Sequence, residues 1–398
     1  MAALFVAEAG ARTTLLEATS DGGRKILISG GGRCNILPAH VDESRFVTDS
    51  SPHALRRMLR SWPLREQIPF FENELGLTLV EETESGKLFP ESNRARDVRD
   101  ELFSLAKRKG VRLLTNARVT GLRPKSGATG AWRLELSGHD ALEVDAVIVA
   151  AGGLSIPKTG SDGFGLGLAR RLGHLVHPTY AALTPLLAQP APFGELAGVS
   201  LEVSLSARSE SREADATGGF LFTHRGYSGP AVLDVSHVAV RTVEEGGPPA
   251  KVTVRWSASD EQAWDAALRP AGARTVLAAL REEVPARLAT ALAGAAGIEA
   301  SRPLAQLRRE ERRRLALTLT RFELPWTSHA GYAAAEVTGG GVDLSEIDAR
   351  SMQSKRHPGL YFCGEVLDAF GPIGGYNFLW AWATGRAAGL GAASVTSP

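Results

Sequence analysis

The segment LYFCGEVLDAFGPIGGYNFLWAWATGRAAG at 360–389 constrains the fold more than any other stretch of the chain. A short apolar run, Tyr361-Phe362-Cys363, meets Gly364-Glu365, then a loop with glycines at 371, 374 and 375, then an Ala/Trp-rich stretch from about Asn377. That order predicts a strand, a tight loop and a helix N-terminus. Glycines in such a loop let backbone approach a ligand without obstruction by Cβ. The helix start offers unpaired N–H groups and a partial positive charge to an electron-rich group. Glu365, at the strand end, can take a sugar hydroxyl. Taken alone, the loop also reads as a Gly-rich turn between two core elements, and three other stretches bear on the choice.

The first is the N-terminus. Residues 2–9 read as helix, Gly10 as its C′ residue, and Arg12–Leu16 as a short strand ending at Glu17. An acid at that strand end binds an adenosine ribose in dinucleotide folds. The strand and Gly-x-Gly-x-x-Gly turn expected about twenty residues before the acid are not in the sequence. The expectation is therefore a parallel sheet without its first strand, in a chain that starts too late.

The second stretch, GGRKILISGGGRCN at 22–35, packs two glycine clusters around Lys25 and Arg33. Successive glycine N–H groups form an anion-binding concavity, and the two cations add charge for a diphosphate or a flavin carbonyl. A free exposed loop is the alternative, against which stand the apolar Ile26, Leu27 and Ile28.

In the third, Ala146–Ala150 is an uninterrupted apolar run that reads as a buried parallel strand. It stops at Ala151-Gly152-Gly153, and glycines at 160, 163, 165 and 167 lead into a helix over 166–172. A strand followed by Ala-Gly-Gly places backbone against a dinucleotide at the carboxyl end of a sheet. His174 and His177, at the exit of that helix, read as core or surface histidines.

Between these stretches the periodicity predicts amphipathic helix over 52–76, a turn at 86–90, a charged helix over 93–109, and strands at 111–114 and 117–122. A meander over 132–136 and 142–144 follows. After Pro178 the texture changes to short alternating strands, as in a small β-barrel or sandwich. Within it FTHRGYSGP at 222–230 is either a substrate-facing loop or the start of a helix with Pro230 in its first turn. Residues 258–320 have helical period, and the mixed charges of Arg308–Arg314 suit a salt-bridged face. VTGGGV at 337–342 marks the return to the first domain.

The 45 basic and 44 acidic residues nearly cancel, so the total charge carries no footprint of a nucleic-acid or anionic-membrane partner. There is no run of about eighteen apolar residues and no signal peptide pattern, which together suggest a cytoplasmic protein. Cys34 and Cys363 are far apart and form neither a Cys-x-x-Cys pair nor a metal-ligand cluster, so no metal is expected.

With GRKILISGGGRCN, AAGGLSIPKTGSDGFG, FTHRGYSGP, VTGGGV and GLYFCGEVLDAFGPIGGYN collected, the chain resembles a family of FAD-dependent NAD(P)/FAD oxidoreductases. Its members include a bile-acid dehydro-intermediate reductase and aminoacetone-oxidase-like flavoproteins. The resemblance implies an α/β fold: a discontinuous two-dinucleotide-binding-type FAD domain with a parallel sheet, and an inserted β-barrel carrying a small helical subdomain. The boundaries it suggests are 1–177, 178–256, 257–320, 321–334 and 335–398, the first and last forming the FAD domain.

By position, the resemblance gives Glu17 the adenosine ribose, the backbone at Val119 the adenine, and Ala151, Gly152 and Gly153 the passage of the dinucleotide over the sheet. Lys25 and the loop Ser29, Gly30, Gly31, Gly32, Arg33, Cys34, Asn35 would lie by the flavin. Gly364 and Glu365 would lie by the ribityl chain or diphosphate, and Gly374, Gly375, Tyr376 and Asn377 under the pyrimidine edge. The chain departs from the family pattern at Gln353, where Glu is expected, and at Phe378-Leu379, where Leu-Gln is usual.

The implied activity moves a hydride between a small or steroid-like substrate and NAD(P)H. An amine oxidase using oxygen is one alternative, and a non-catalytic remnant or scaffold with weak FAD binding is another. No catalytic constellation announces itself; Cys34, Tyr376 and His224 are the candidates nearest the expected flavin. Their structural alternatives are a loop residue, a packed aromatic and a turn former.

Overall fold

A computed structural model describes residues 1–125, 130–269 and 272–396, which divide into two units, 1–179 with 337–398, and 180–336. The parallel strands of the first unit are short. Thr14–Leu16 pairs with Arg112–Leu114, and Leu360–Phe362 pairs with Val147–Val149. Among the described residues these two pairs share no ladder. The parallel strand expected over Ala146–Ala150 is present at Val147–Val149 with Val149 buried, but Val147 and Ile148 are only half-buried; their partners Leu360, Tyr361 and Phe362 are fully enclosed.

The helix Tyr376–Thr396 encloses them. Between Phe378 and Ala393 it is apolar apart from Thr384 and Arg386, as suits a helix largely inside a core. Leu379, Trp380, Trp382, Ala383, Ala387 and Ala388 are all buried. The two indoles find acceptors inside the core, Trp380 Nε1 on the Gly364 carbonyl at 3.1 Å and Trp382 Nε1 on that of Ile36 at 3.2 Å. Its small residues admit close neighbours, and the short helix Ala2–Glu8 packs where larger side chains would block it.

The second unit is a seven-stranded antiparallel sheet. Its order is Phe322–Glu323, Lys251–Arg255, Ser200–Arg208, Glu213–Thr223, Gly226–Ser228, Leu186–Leu187, Ser328–His329. The two outermost strands are joined by residues 324–327 alone, a link that spans no more than about 18 Å. The sheet is therefore bent round with its edges near each other. The helix Pro230–Glu244 buries Val232, Val235, Val238 and Ala239 in this unit's core, and the α-helices Glu261–Ala267, Val276–Leu280, Ala286–Ala295 and Arg309–Thr320 pack in the same unit.

Two local readings change, and at FTHRGYSGP the helix-entry alternative holds. Residues 24–28 form a short helix rather than a loop, entered through Gly22 and Gly23 in the left-handed region, with Ile26 packed on the core. The glycines at 30–32 follow as a tight turn. Lys87–Pro90 is a strand paired with Leu37–Pro38 and Leu79–Glu82, not a turn, because Leu88 and Phe89 are drawn into the core. FTHRGYSGP is a hairpin leading into a helix: His224 and Arg225 make the turn, Gly226–Ser228 the returning strand, and Pro230 the first helical position.

Candidate functional site

At the carboxyl ends of Val147–Val149 and Leu360–Phe362 the chain ties four segments into one polar knot centred on Glu365. Its Oε1 accepts from the Thr338 N–H at 2.9 Å and from the Ser155 hydroxyl at 2.6 Å. Lys25 Nζ donates to the same hydroxyl at 2.6 Å and lies 3.8 Å from Glu365 Oε2. Thr338, itself fully buried, accepts from Leu154 N at 2.7 Å and Ser155 N at 3.1 Å. Only glycine fits at 153, because a Cβ there would come 2.3 Å from Thr338 Oγ1 and 2.9 Å from Glu365 Oε1.

The start of the helix Tyr376–Thr396 is fixed from below. The Asn35 amide, in the orientation its neighbours require, accepts from Gly375 N at 3.0 Å and donates to the Leu37 carbonyl at 3.1 Å. Gly375 has φ +90°, and a Cβ on it would lie 2.5 Å from the carbonyl carbon of Leu37. Asn377 closes the loop above with two 2.9 Å hydrogen bonds to Gly371, one to each backbone group. In contrast, a Cβ at Gly364 or Gly374 would meet nothing nearer than 3.9 and 3.8 Å respectively. A Cβ at Gly31 would meet nothing within 4 Å. Of these three, only Gly31 faces open space; Gly364 is buried, and a Cβ at Gly364 or Gly374 would make an ordinary van der Waals contact.

Glu17 ends the strand Thr14–Leu16. Its Oε1 accepts from the N–H and hydroxyl of Thr19 at 2.7 and 2.6 Å, which leaves Oε2 for an outside donor. The 17–25 and 151–160 segments are neighbours, since Lys25 reaches Ser155 and Thr19 sits beside Gly160. Val119 opens a strand opposite Leu136 on the meander. Ala151 is exposed and Gly153 buried.

Not every expected residue joins this knot. Arg33 turns away, its guanidinium 4.1 Å over the Phe89 ring and 3.0 Å from Glu82. Ser29 uses its hydroxyl on the Ile26 carbonyl. Cys34 is fully buried, and burial pushes its thiol up to about 11, so it is no thiolate nucleophile at neutral pH. The Tyr376 hydroxyl is held by the backbone of His40 and Asp42 at 3.3 Å each, as a packed aromatic. His224 lies in the second unit as a turn former.

The sequence reading missed Ser155 and Thr338 as site residues, although both sit inside stretches it quoted, AAGGLSIP and VTGGGV. The available signal was a lone hydroxyl residue beside a glycine run. It also missed Asp368, whose Oδ2 takes hydrogen bonds from Thr48 Oγ1, Asp49 N, Ser50 N and Ser50 Oγ at 2.7–3.0 Å. Burial raises this carboxyl above its ordinary range. His177 bonds Asp343 at 2.7 Å and stands 3.7 Å from Asp368. This second knot pins the 48–50 segment beneath the loop that follows Glu365.

An acid at one strand end, glycine approaches at two others and a helix start above define an α/β dinucleotide-binding protein. The description "HI0933-like protein Rossmann domain" matches residues 1–391, and the chain belongs to this FAD-binding family. It is 32% identical over 381 residues to the ribosomal RNA dihydrouridine synthase of Escherichia coli, covering 95% of this chain and 91% of that one. Against the 3-dehydro-bile acid delta(4,6)-reductase of Clostridium scindens it is 32% identical over 390 residues, covering 96% and 93%. The ribosomal RNA dihydrouridine synthase of Haemophilus influenzae is 30% identical over 388 residues, covering 97% and 93%.

The residues fit FAD. Glu17 keeps a free oxygen, Lys25 supplies a cation, Gly31 leaves its Cβ direction open, no atom crowds a Cβ at Gly364 or Gly374, and the first-turn N–H groups of the helix Tyr376–Thr396 have no intrahelical acceptor.

Proposed function

We propose that this chain is a flavin-dependent reductase that saturates a carbon–carbon double bond conjugated to a carbonyl, drawing electrons from NAD(P)H, with the uracil ring of an RNA as its substrate. The observation that carries the reading is the knot joining Lys25, Ser155, Thr338 and Glu365 beside a glycine-lined helix start. The relatives supply the substrate class. Dihydrouridine is uridine with hydrogen added across the ring double bond conjugated to C4=O, and a delta(4,6)-reductase of a 3-dehydro compound acts on double bonds conjugated to a ketone. One chemistry covers both names.

Bound FAD would supply hydride transfer. Glu17 would hold the adenosine ribose through Oε2, and the backbone of Ala151–Gly153 would lie along the dinucleotide. Lys25 brings a positive charge to the site and is oriented by Ser155. Glu365, fixed by two short hydrogen bonds, would accept from a ribityl or ribose hydroxyl. The N–H groups at 376–378 would favour negative charge on an oxygen facing the helix start. Lys25, Ser155, Thr338 and Glu365 are held to one another by the fold.

The test is anaerobic incubation of the FAD-loaded protein with NADPH or NADH and a ribosomal RNA fragment, followed by digestion and nucleoside mass spectrometry. The expected product is a nucleoside two hydrogens heavier than uridine. Reduction of a 3-oxo-4,6-diene steroid with no change in RNA would overturn the substrate. In a separate aerobic incubation, peroxide from an amine without NAD(P)H would establish the oxidase instead, and failure to take up FAD would establish the scaffold.

A further inference from the structure

In the first unit, a pocket of about 540 Å³ is lined by His53, Arg56, Arg57, Arg60, Ser61, Ala349 and Arg350. Its basic residues come from two places. His53, Arg57 and Arg60 follow at spacings of four and three along the helix Pro52–Leu59 and its cap, so they share one face. The row from 53 to 60 is about 10 Å long at helical rise. Arg350 joins it from the turn after Asp348, through tertiary packing alone.

Little acid opposes this charge. Glu43 holds Arg60 with two hydrogen bonds of 2.9 and 2.8 Å. Asp348 lies near Arg57, but its Oδ1 already accepts from Arg350 N, Ser351 N and Ser351 Oγ at 2.9–3.1 Å. Among the described residues Arg56, Arg57 and Arg350 have no carboxylate oxygen within 4.0 Å, although Asp348 acts on Arg57 from beyond that distance. Three guanidiniums around one concave space, with the Asp348 carboxylate the charge acting on Arg57, leave an excess of positive charge that an anion would offset.

We infer that this pocket binds the phosphodiester backbone of RNA and is a docking surface for the substrate, an inference that rests on the RNA reading proposed above. Guanidinium forks match phosphate oxygens two at a time, and three guanidiniums contributed by two separate segments can engage more than one phosphate of a chain. The near-zero net charge hid this site, because the sum over the chain cancels a cluster against acids elsewhere. None of its residues belongs to the Glu365 knot, so docking and chemistry separate by mutation.

The experiment measures binding of a labelled single-stranded, uridine-containing RNA to the FAD-loaded protein by fluorescence anisotropy, across a range of salt. The comparison is with the triple variant Arg56→Gln, Arg57→Gln, Arg350→Gln. For single strands the slope of log K against log salt is about −0.7 per phosphate contacted. The triple variant is therefore expected to flatten the slope by about 2 and to bind on the order of tenfold or more weakly at low salt. Its FAD content and melting temperature should match the parent. The lysine version of the triple variant keeps the charge and should restore most of the slope.

Unchanged affinity and slope in the glutamine variant overturn the inference. So does inorganic phosphate that competes as well as RNA at equal phosphate concentration, which would make this a small-anion site. The two proposals fail separately. RNA binding lost in the variant without dihydrouridine from the parent rejects the chemistry only, while dihydrouridine formed by the variant with unchanged KM rejects the docking surface only.

Discussion

Thr338→Val is the sharpest test of the knot. Valine keeps the branched shape that the strand Val337–Val342 accommodates and removes one oxygen. That oxygen accepts from Leu154 N at 2.7 Å and Ser155 N at 3.1 Å. Each buried N–H left without an acceptor costs about 1–3 kcal/mol. Ser155 is fully buried and Leu154 partly so. The expected loss is therefore about 2–4 kcal/mol, in the lower part of the range for two such groups.

A methyl carbon also cannot remain 2.7 Å from an amide nitrogen, so residues 153–155 must shift and carry Ser155 away from Lys25 and Glu365. Urea unfolding followed by tryptophan fluorescence reads the stability, with the midpoint lowered and the m-value unchanged. FAD affinity should fall with it. Thr338→Ser retains the hydroxyl and should recover most of both. A valine variant within about 0.5 kcal/mol of the parent, or a serine variant as unstable as the valine one, would refute the account of Thr338 as the acceptor that shapes this loop.

Two further outcomes follow from the charges. Burial pushes the thiols of Cys34 and Cys363 up to about 11 and about 12, so neither should react with a thiol reagent in the native protein at neutral pH, and both should react once it is unfolded. A fast-reacting native thiol would show that one of them is exposed. In the second unit, the Arg308 side chain and N–H, with Arg302, hold the Glu311 carboxyl down to about 2 from 4.5. A depressed folded pKa contributes stability above pH 4.5 that is lost as pH falls toward about 2. Glu311→Gln should therefore melt below the parent at neutral pH, with the gap closing through that window in thermal scans; a gap independent of pH would refute the pairing.

The strands, the helix start and the glycine approaches were legible because each rests on local rules. Tyr361–Glu365 reads as strand and acid, and Gly374-Gly375 as a helix start, from neighbours in sequence alone. The short helix Arg24–Ile28 was not legible, because five residues carry too little periodicity and the flanking glycines speak for a loop. Nor was the fate of Arg33, whose choice between a ligand and the Phe89 face depends on a strand more than fifty residues away.

The sequence by itself determined that this is an α/β nucleotide-binding chain interrupted by a β-rich unit, since periodicity, glycine spacing and an acid at a strand end survive without knowledge of the partners. Only the tertiary structure decided what each polar group does. Ser155 and Thr338 became part of the site because residues 25, 155, 338 and 365 meet in space, and a hydrogen bond requires a distance that sequence does not contain. For the same reason Arg350 joined the arginines of a helix nearly three hundred residues earlier, and a chain of almost no net charge acquired a strongly basic pocket.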